Sequence, residues 1–247
     1  MKNKIFLYPN GKRIFYTVHN QKADTVLLYL HGLMSSRTSD KGKSILSYAK
    51  KNHFGFLSLD YTAHGDSDGD KTEFRVGTCL EDILSVFDLE LKNKKVIVIG
   101  SSLGGWLSLL LAEKRKQQIF GLITLAVAAD FTKLVWEYMF NEDIKTRLKS
   151  GEVLGPSEET KGHCFTYQMF EEAEKHCLLN RTINYNGPCL LVHGDKDEII
   201  PYMNSFKVKE ALSSTKVCVQ IIKDETHLLK GYKLQLAIDF ILQQVKE

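Results

Sequence analysis

Apolar residues along this chain alternate between short continuous runs and longer stretches with apolar positions three or four apart. Residues 4–8 and 13–19 are β-like segments on either side of Pro9-Asn10-Gly11, a strong turn, and read as an antiparallel hairpin. Thr25-Val26-Leu27-Leu28-Tyr29-Leu30 is almost unbroken, as expected of a strand covered on both faces. A helical stretch at 42–52, a strand at 55–60 and a Gly/Asp-rich loop at 61–70 follow. Val76, Leu80, Ile83, Leu84, Phe87 and Leu91 then recur at helical spacing within 74–91. Next come a strand at 95–99, a helix at 106–114 and a strand at 119–127. The rhythm resumes with a strand at 188–192, a helix at 203–212, a strand at 216–222 and an amphipathic helix at 232–245.

Alternating strands and helices predict an α/β protein with a mostly parallel twisted sheet and helices on both faces. Between Asp130 and about residue 186 the pattern changes to short helix-like pieces broken by Gly151, Gly155, Pro156 and Gly162. Residues 1–130 and 187–247 are therefore read as the core, and 131–186 as a small helical lid inserted over the carboxyl ends of the strands, where such sheets bind ligands. The 247 residues suffice for one such domain with its insertion.

The chemistry centres on Gly100-Ser101-Ser102-Leu103-Gly104, which joins the strand at 95–99 to the helix at 106–114. In a strand, sharp glycine turn and helix of this kind, the central serine stands at the apex of an elbow, beside the N–H groups that open the helix. Ser102 is the candidate nucleophile. A serine hydroxyl needs a histidine to take its proton and an acid to orient that histidine. His227, between the last strand and the last helix, lies at the same sheet edge and is the candidate base. His31 and His193, each followed by glycine at a strand end, read as structural; His64, in the Gly/Asp loop, is within reach of the site. The acid is expected between serine and histidine in the chain. The loop after the strand at 188–192 offers Asp195, Asp197 and Glu198, of which Asp197 is preferred because Asp195 suits the turn itself; Asp130 is the second choice. The backbone N–H groups of Leu33 and Leu103 are the expected oxyanion donors.

Composition narrows the partners. A net charge of +3, with lysines scattered rather than blocked, gives no footprint for nucleic acid. No segment approaches the roughly 18 apolar residues that cross a bilayer, so stable membrane insertion is not expected. Five cysteines at 79, 164, 177, 189 and 218 show no metal-ligand spacing; Cys189 and Cys218 sit in apolar runs. Met1 to Tyr8 reads as a first strand rather than a targeting segment, and the expected location is cytoplasmic.

Three motifs, His31-Gly32, Gly100-x-Ser102-x-Gly104 and His193-Gly194-x-x-Asp197-x-x-x-Pro201 followed by His227, together resemble the α/β-hydrolase superfamily over essentially the whole chain. Residues 98–106, Ala128-Ala129-Asp130 and residues 174–179 resemble a narrower branch: mitochondrial acyl-protein thioesterases and acyl-glucuronide esterases with bacterial relatives. The resemblance implies Ser102 as nucleophile, Asp197 as acid and His227 as base, in agreement with the residues read alone. The expected reaction is hydrolysis of a small-molecule or acylated-protein ester or thioester, without metal or organic cofactor. C–C bond hydrolysis or aminopeptidase action are alternatives on the same triad, and a non-catalytic binding protein is an alternative of another class. Trp136 and Phe140, in the aromatic-rich insertion, are the expected wall of an acyl pocket. Nothing in the chain indicates an oligomeric state.

Overall fold

A computed structural model describes residues 1–157, 160 and 162–245. Eight strands form one sheet in the order β1-β2-β4-β3-β5-β6-β7-β8. They are β1 (Lys2–Leu7), β2 (Arg13–His19), β3 (Thr25–Leu30), β4 (Gly55–Leu59), β5 (Lys95–Ser101), β6 (Ile119–Leu125), β7 (Cys189–Gly194) and β8 (Val217–Ile222). β1 pairs antiparallel with β2, and β2 with β4; every pairing from β4 through β3 to β8 is parallel. The core helices are α1 (Asp40–Lys51), α2 (Val76–Glu90), α3 (Leu103–Lys114), α7 (Met203–Ala211) and α8 (Leu234–Gln244).

The continuous apolar runs have a direct cause. Successive strand residues point to opposite faces, and both faces are covered. Val26, Leu28 and Leu30 of β3 join Val96 and Val98 of β5 in one core with α2 and α3. Leu27, Tyr29, Ile97 and Ile99 enter the other, with α1 and α8. α3 is apolar all round, as befits a helix buried from Leu103 to Ala112. Of the two cysteines in apolar runs, Cys189 is buried and Cys218 is exposed on the edge strand β8.

The break in rhythm after Asp130 holds α4 (Phe131–Leu134), a π-helical turn Val135–Met139, α5 (Glu142–Lys149), a bridge between Leu154 and Phe165, and α6 (Tyr167–Glu174). Positions 158, 159 and 161 of the expected lid lie outside the described residues. The segment is tied down where it meets the core. The Glu172 carboxylate accepts the Gly77 N–H at the start of α2 (3.0 Å), and Trp106 Nε1 donates to the His176 carbonyl (3.0 Å).

Strand order reverses direction between β3 and β5, which are adjacent in the sheet while their connections leave to opposite sides. The loops after these two strands therefore diverge over a crevice. Their closeness depends on glycine. A Cβ on Gly104 would stand 2.0 Å from the Leu30 carbonyl oxygen and 2.7 Å from that of His31; one on Gly100 would stand 2.2 Å from the Gly104 oxygen. These neighbours are backbone, which cannot swing aside. Gly104→Ala is expected to destabilise the protein by about 3 kcal/mol or more, at the upper end of overpacking costs. Gly11→Ala, at φ 88° with nothing within 4 Å, should cost only about 1–2 kcal/mol. Denaturant midpoints of the two variants check this ranking.

Candidate active site

Ser102 stands between β5 and α3 with φ 55° and ψ −116°, a conformation L-residues rarely adopt. Its N–H donates to the Leu125 carbonyl (2.9 Å), and its carbonyl accepts the N–H groups of Gly105 (2.8 Å) and Ala128 (3.2 Å). The elbow is thus stitched to β6 on one side and to α3 on the other. The side chain is left to face the carboxyl edge of the sheet.

The loop after β7 carries Asp197, whose carboxylate is fully buried. Its Oδ1 accepts the N–H groups of Ile199 and Ile200, both at 2.9 Å. Its Oδ2 accepts His227 Nδ1 at 2.7 Å and His193 Nε2 at 3.0 Å. Burial pushes this carboxyl upward. The hydrogen bonds from His193, His227 and the Ile200 amide outweigh it, and hold the group well below the usual carboxylate range. An ionised carboxylate only accepts, so His227 carries a proton on Nδ1, which leaves Nε2 as the ring nitrogen turned from the acid. His193 is fully buried; its Nε2 also meets the Ile200 carbonyl and its Nδ1 the Ser205 hydroxyl (2.8 Å). The histidine read as a support for its turn thus also bears on the acid.

Ser102 and His227 line one cavity of about 650 Å³ with Gly32, Leu33 and Ser101. Tyr29, Asp40, Lys41, Lys230 and Tyr232 are among the residues of its polar wall. A second cavity of about 260 Å³ shares Leu33 and Ser35 with it and is lined by Met34, Phe74 and Cys164 among others. Leu103 opens α3, where an N–H has no partner within the helix. Among the described residues, neither the Leu103 nor the Leu33 amide is engaged by a protein acceptor. A cluster of three metal-ligating side chains does not occur among them either. The arrangement has the parts for acyl transfer: a serine on a strained elbow, an imidazole with a free nitrogen, a carboxylate behind it and two unspent amides.

The other sequence candidates are placed as follows. Asp130 spends both carboxylate oxygens on the Leu178 (2.8 Å) and Leu179 (2.9 Å) amides, closing the base of the insertion. Asp195 accepts the Asp224 N–H (2.7 Å) from the loop after β8, a bond between two loops rather than within its own turn. His64 is buried, with Nδ1 against the Thr62 carbonyl, and burial lowers its pKa. Trp136 and Phe140 line neither cavity. They pack with Tyr167, Phe165 and Phe170, ring centroids 5.0–6.4 Å apart, as the hydrophobic centre of the insertion itself. A segment of short helices must bury its own aromatics to hold together, and these contacts occupy much of both rings. The cavity wall from Ser39 to Ser44 and from Leu228 to Leu234 was not singled out in the sequence, because polar loop and helix-start residues carry no periodic signal.

A family model described as alpha/beta hydrolase fold matches residues 25–151. The mitochondrial palmitoyl-protein thioesterase ABHD10 of Mus musculus is 34% identical over 206 residues, covering 83% of this chain and 69% of the relative. Its Homo sapiens counterpart is 32% identical, with 83% and 67% covered. Among solved structures, the mouse alpha/beta hydrolase domain-containing protein 10 superposes with a TM-score of 0.88 at 30% identity, over 99% of this chain and 100% of that one. Est1E from Butyrivibrio proteoclasticus, with ferulic acid bound, shares the fold at a TM-score of 0.81 and 20% identity, with 99% and 100% covered. The cytoplasmic location expected from the sequence is overturned by these relatives, whose names place them in mitochondria.

Two outcomes follow from this geometry. Asp197 sits below the ordinary value of 3.8, so its contribution to stability is present above about pH 4 and fades as pH falls through the lower folded-state pKa. Asp197→Asn should therefore flatten the acid side of the melting-temperature profile between about pH 4 and pH 2, measured calorimetrically against the wild type. Trp136→Ala should cost about 2–3 kcal/mol of stability, as for a partly buried aromatic, and leave the rate ratio of long to short acyl esters unchanged. A fall in that ratio would assign the pair to the pocket wall.

Proposed function

The chain belongs to the α/β-hydrolase family, and from that premise we propose that it hydrolyses carboxylic esters and thioesters through an acyl-enzyme on Ser102. The observation that carries this reading is the strained Ser102 elbow sharing one cavity with His227, which is tied at 2.7 Å to the buried Asp197. His227 Nε2 takes the hydroxyl proton as Ser102 Oγ attacks the acyl carbonyl. The Leu33 and Leu103 amides receive the oxyanion of the tetrahedral intermediate. His227 returns the proton to the departing alcohol or thiol. Water then attacks the acyl-enzyme by the same proton route and frees the acid, regenerating Ser102. No step calls on a group beyond these residues and water.

Thioesters of acylated proteins are the proposed substrates. The support is the likeness to relatives named palmitoyl-protein thioesterases, with 83% of this chain aligned.

A fluorophosphonate probe should label the wild type and not Ser102→Ala, whose turnover should fall by several orders of magnitude with its circular dichroism unchanged. Asp197→Asn should lower turnover by about 10³–10⁴ through the wrong His227 tautomer. Labelling that survives in Ser102→Ala would remove Ser102 from the chemistry. Equal loss with oxygen and sulfur esters of one acyl chain is expected in both variants.

A further inference from the structure

We infer that the cavity beside Ser102 takes the peptide of an acylated protein and favours acidic residues next to the acylated cysteine, with Lys41 and Lys230 as the groups that receive them. The inference rests on the reading of Ser102 and His227 given above and adds a choice among thioesters which that reading does not make. The proposed mechanism fixes which part of the substrate lies here. His227 returns its proton to the departing thiol, so the thiol leaves on the side of His227. His227 lines the cavity of about 650 Å³ together with Ser102, and Leu228 and Lys230 line it too. The smaller cavity at Met34 and Phe74 has neither Ser102 nor His227 in its wall. Successive residues of an extended chain are about 3.3–3.6 Å apart, so those on either side of a departing cysteine meet the walls of the larger cavity.

The walls carry cations without a counter-charge. Lys41 stands in the first turn of α1, and Lys230 in the loop between β8 and α8. Among the described residues, the lysines in ion pairs are Lys4, Lys12 and Lys145; Lys41 and Lys230 are in none. Glu225, in the same loop as Lys230, is spent on the Gly231 N–H at 2.7 Å. Lys41 is half-buried, and burial lowers its pKa against the opposing effect of Asp40. A partly desolvated ammonium is held at a cost that an incoming carboxylate relieves. Asp40 is the acid among the lining residues, and it is exposed. Two lysines against one aspartate leave the wall net positive.

The layout suits carboxylates on a chain better than a single phosphate. The two ammonium groups come from separate elements, whereas phosphates are commonly gathered by consecutive N–H groups of one glycine-rich turn. Asp40 in the same wall weighs more against a phosphate dianion than against a carboxylate. Leu228, which is exposed, and Tyr232 give that wall apolar surface for the stems of a peptide. Charge complementarity of this kind acts on encounter and on the choice of partner more than on the chemical step, so it belongs in kcat/KM and fades with salt.

S-acyl peptides with one acyl chain, their cysteine flanked by two glutamates, two glutamines or two lysines, supply the test. With the wild type at low salt, kcat/KM should rank glutamate above glutamine above lysine, with about three- to tenfold between the first two. Raising sodium chloride from about 50 to about 500 mM should bring both ratios close to one. Lys41→Gln should lower the glutamate-to-glutamine ratio below about twofold, Lys41→Arg should keep it, and Lys41→Glu should reverse the ranking. Each ratio is taken within one variant, so a loss of folded enzyme cancels. A wild type that cuts all three peptides at one rate overturns the inference and leaves the Ser102 reading standing. So does a ratio that survives in the double variant Lys41→Gln, Lys230→Gln. A preference for acyl-phosphopantetheine over acyl-pantetheine that Lys41→Gln removes, with no ranking among the peptides, gives the lysines to a phosphate and overturns the acidic-peptide inference. Peptides left uncut while a fluorophosphonate still labels Ser102 overturn the inference and the thioester substrate together. Failure of that labelling in the wild type sinks the nucleophile reading, and this inference with it.

Discussion

The structure turns on one strained residue. Ser102 sits at φ 55° and ψ −116°, a conformation that costs of order 1–3 kcal/mol and survives only where its surroundings over-determine it. Here they do. The Ser102 amide and carbonyl are engaged by β6, by the start of α3 and by the chain after β6. Gly104 lies against the backbone of Leu30 and His31, and Gly100 against Gly104, closer than any side chain would allow. β3 and β5 pair in register from Thr25 with Lys95 to Leu30 with Gly100, so their loops leave the sheet side by side. The elbow and the turn with Leu33 are thereby a single packing problem. Neither can shift without the other.

The second constraint is the division of labour at Asp197. One carboxylate oxygen is saturated by two backbone amides of its own loop, which fixes the plane of the group. The other is left to two imidazoles on opposite sides. Asp130 offers the contrast. It too follows a buried strand, yet both its oxygens are committed to amides of the returning insertion. Local sequence gives the two aspartates similar claims, and only the tertiary partners separate them.

That contrast marks how far the sequence could be read. The strands and helices of the core were legible because each apolar run answers one physical demand: a strand covered on two faces, or a helix covered along one stripe. The elbow was legible because a serine flanked by glycines between such elements has few other uses. The insertion was not, because aromatics at short spacing serve equally to hold a small helical unit together or to line a groove. Trp136 and Phe140 do the former, against Phe165 and Phe170. The cavity walls were not legible either: Lys41 and Lys230 become neighbours of Ser102 only through the sheet order.

The histidines show why motif and chemistry part company. His31 and His193 each precede a glycine at a strand end, and each reads locally as support for a turn. Three-dimensional context gives both more than that. His193 is hydrogen-bonded to the carboxylate that orients His227, and His31 to the carbonyl opposite the Leu33 amide. Neither lies within the list of groups that would touch a reacting carbonyl. A buried imidazole suits such posts for a definite reason. It carries two nitrogens at fixed angles in a rigid ring, so it can pin a polar group inside a core. In the proposed mechanism new charge appears on the oxyanion and on His227, beside the standing charge of the buried Asp197 carboxylate that the amides and imidazoles hold in place.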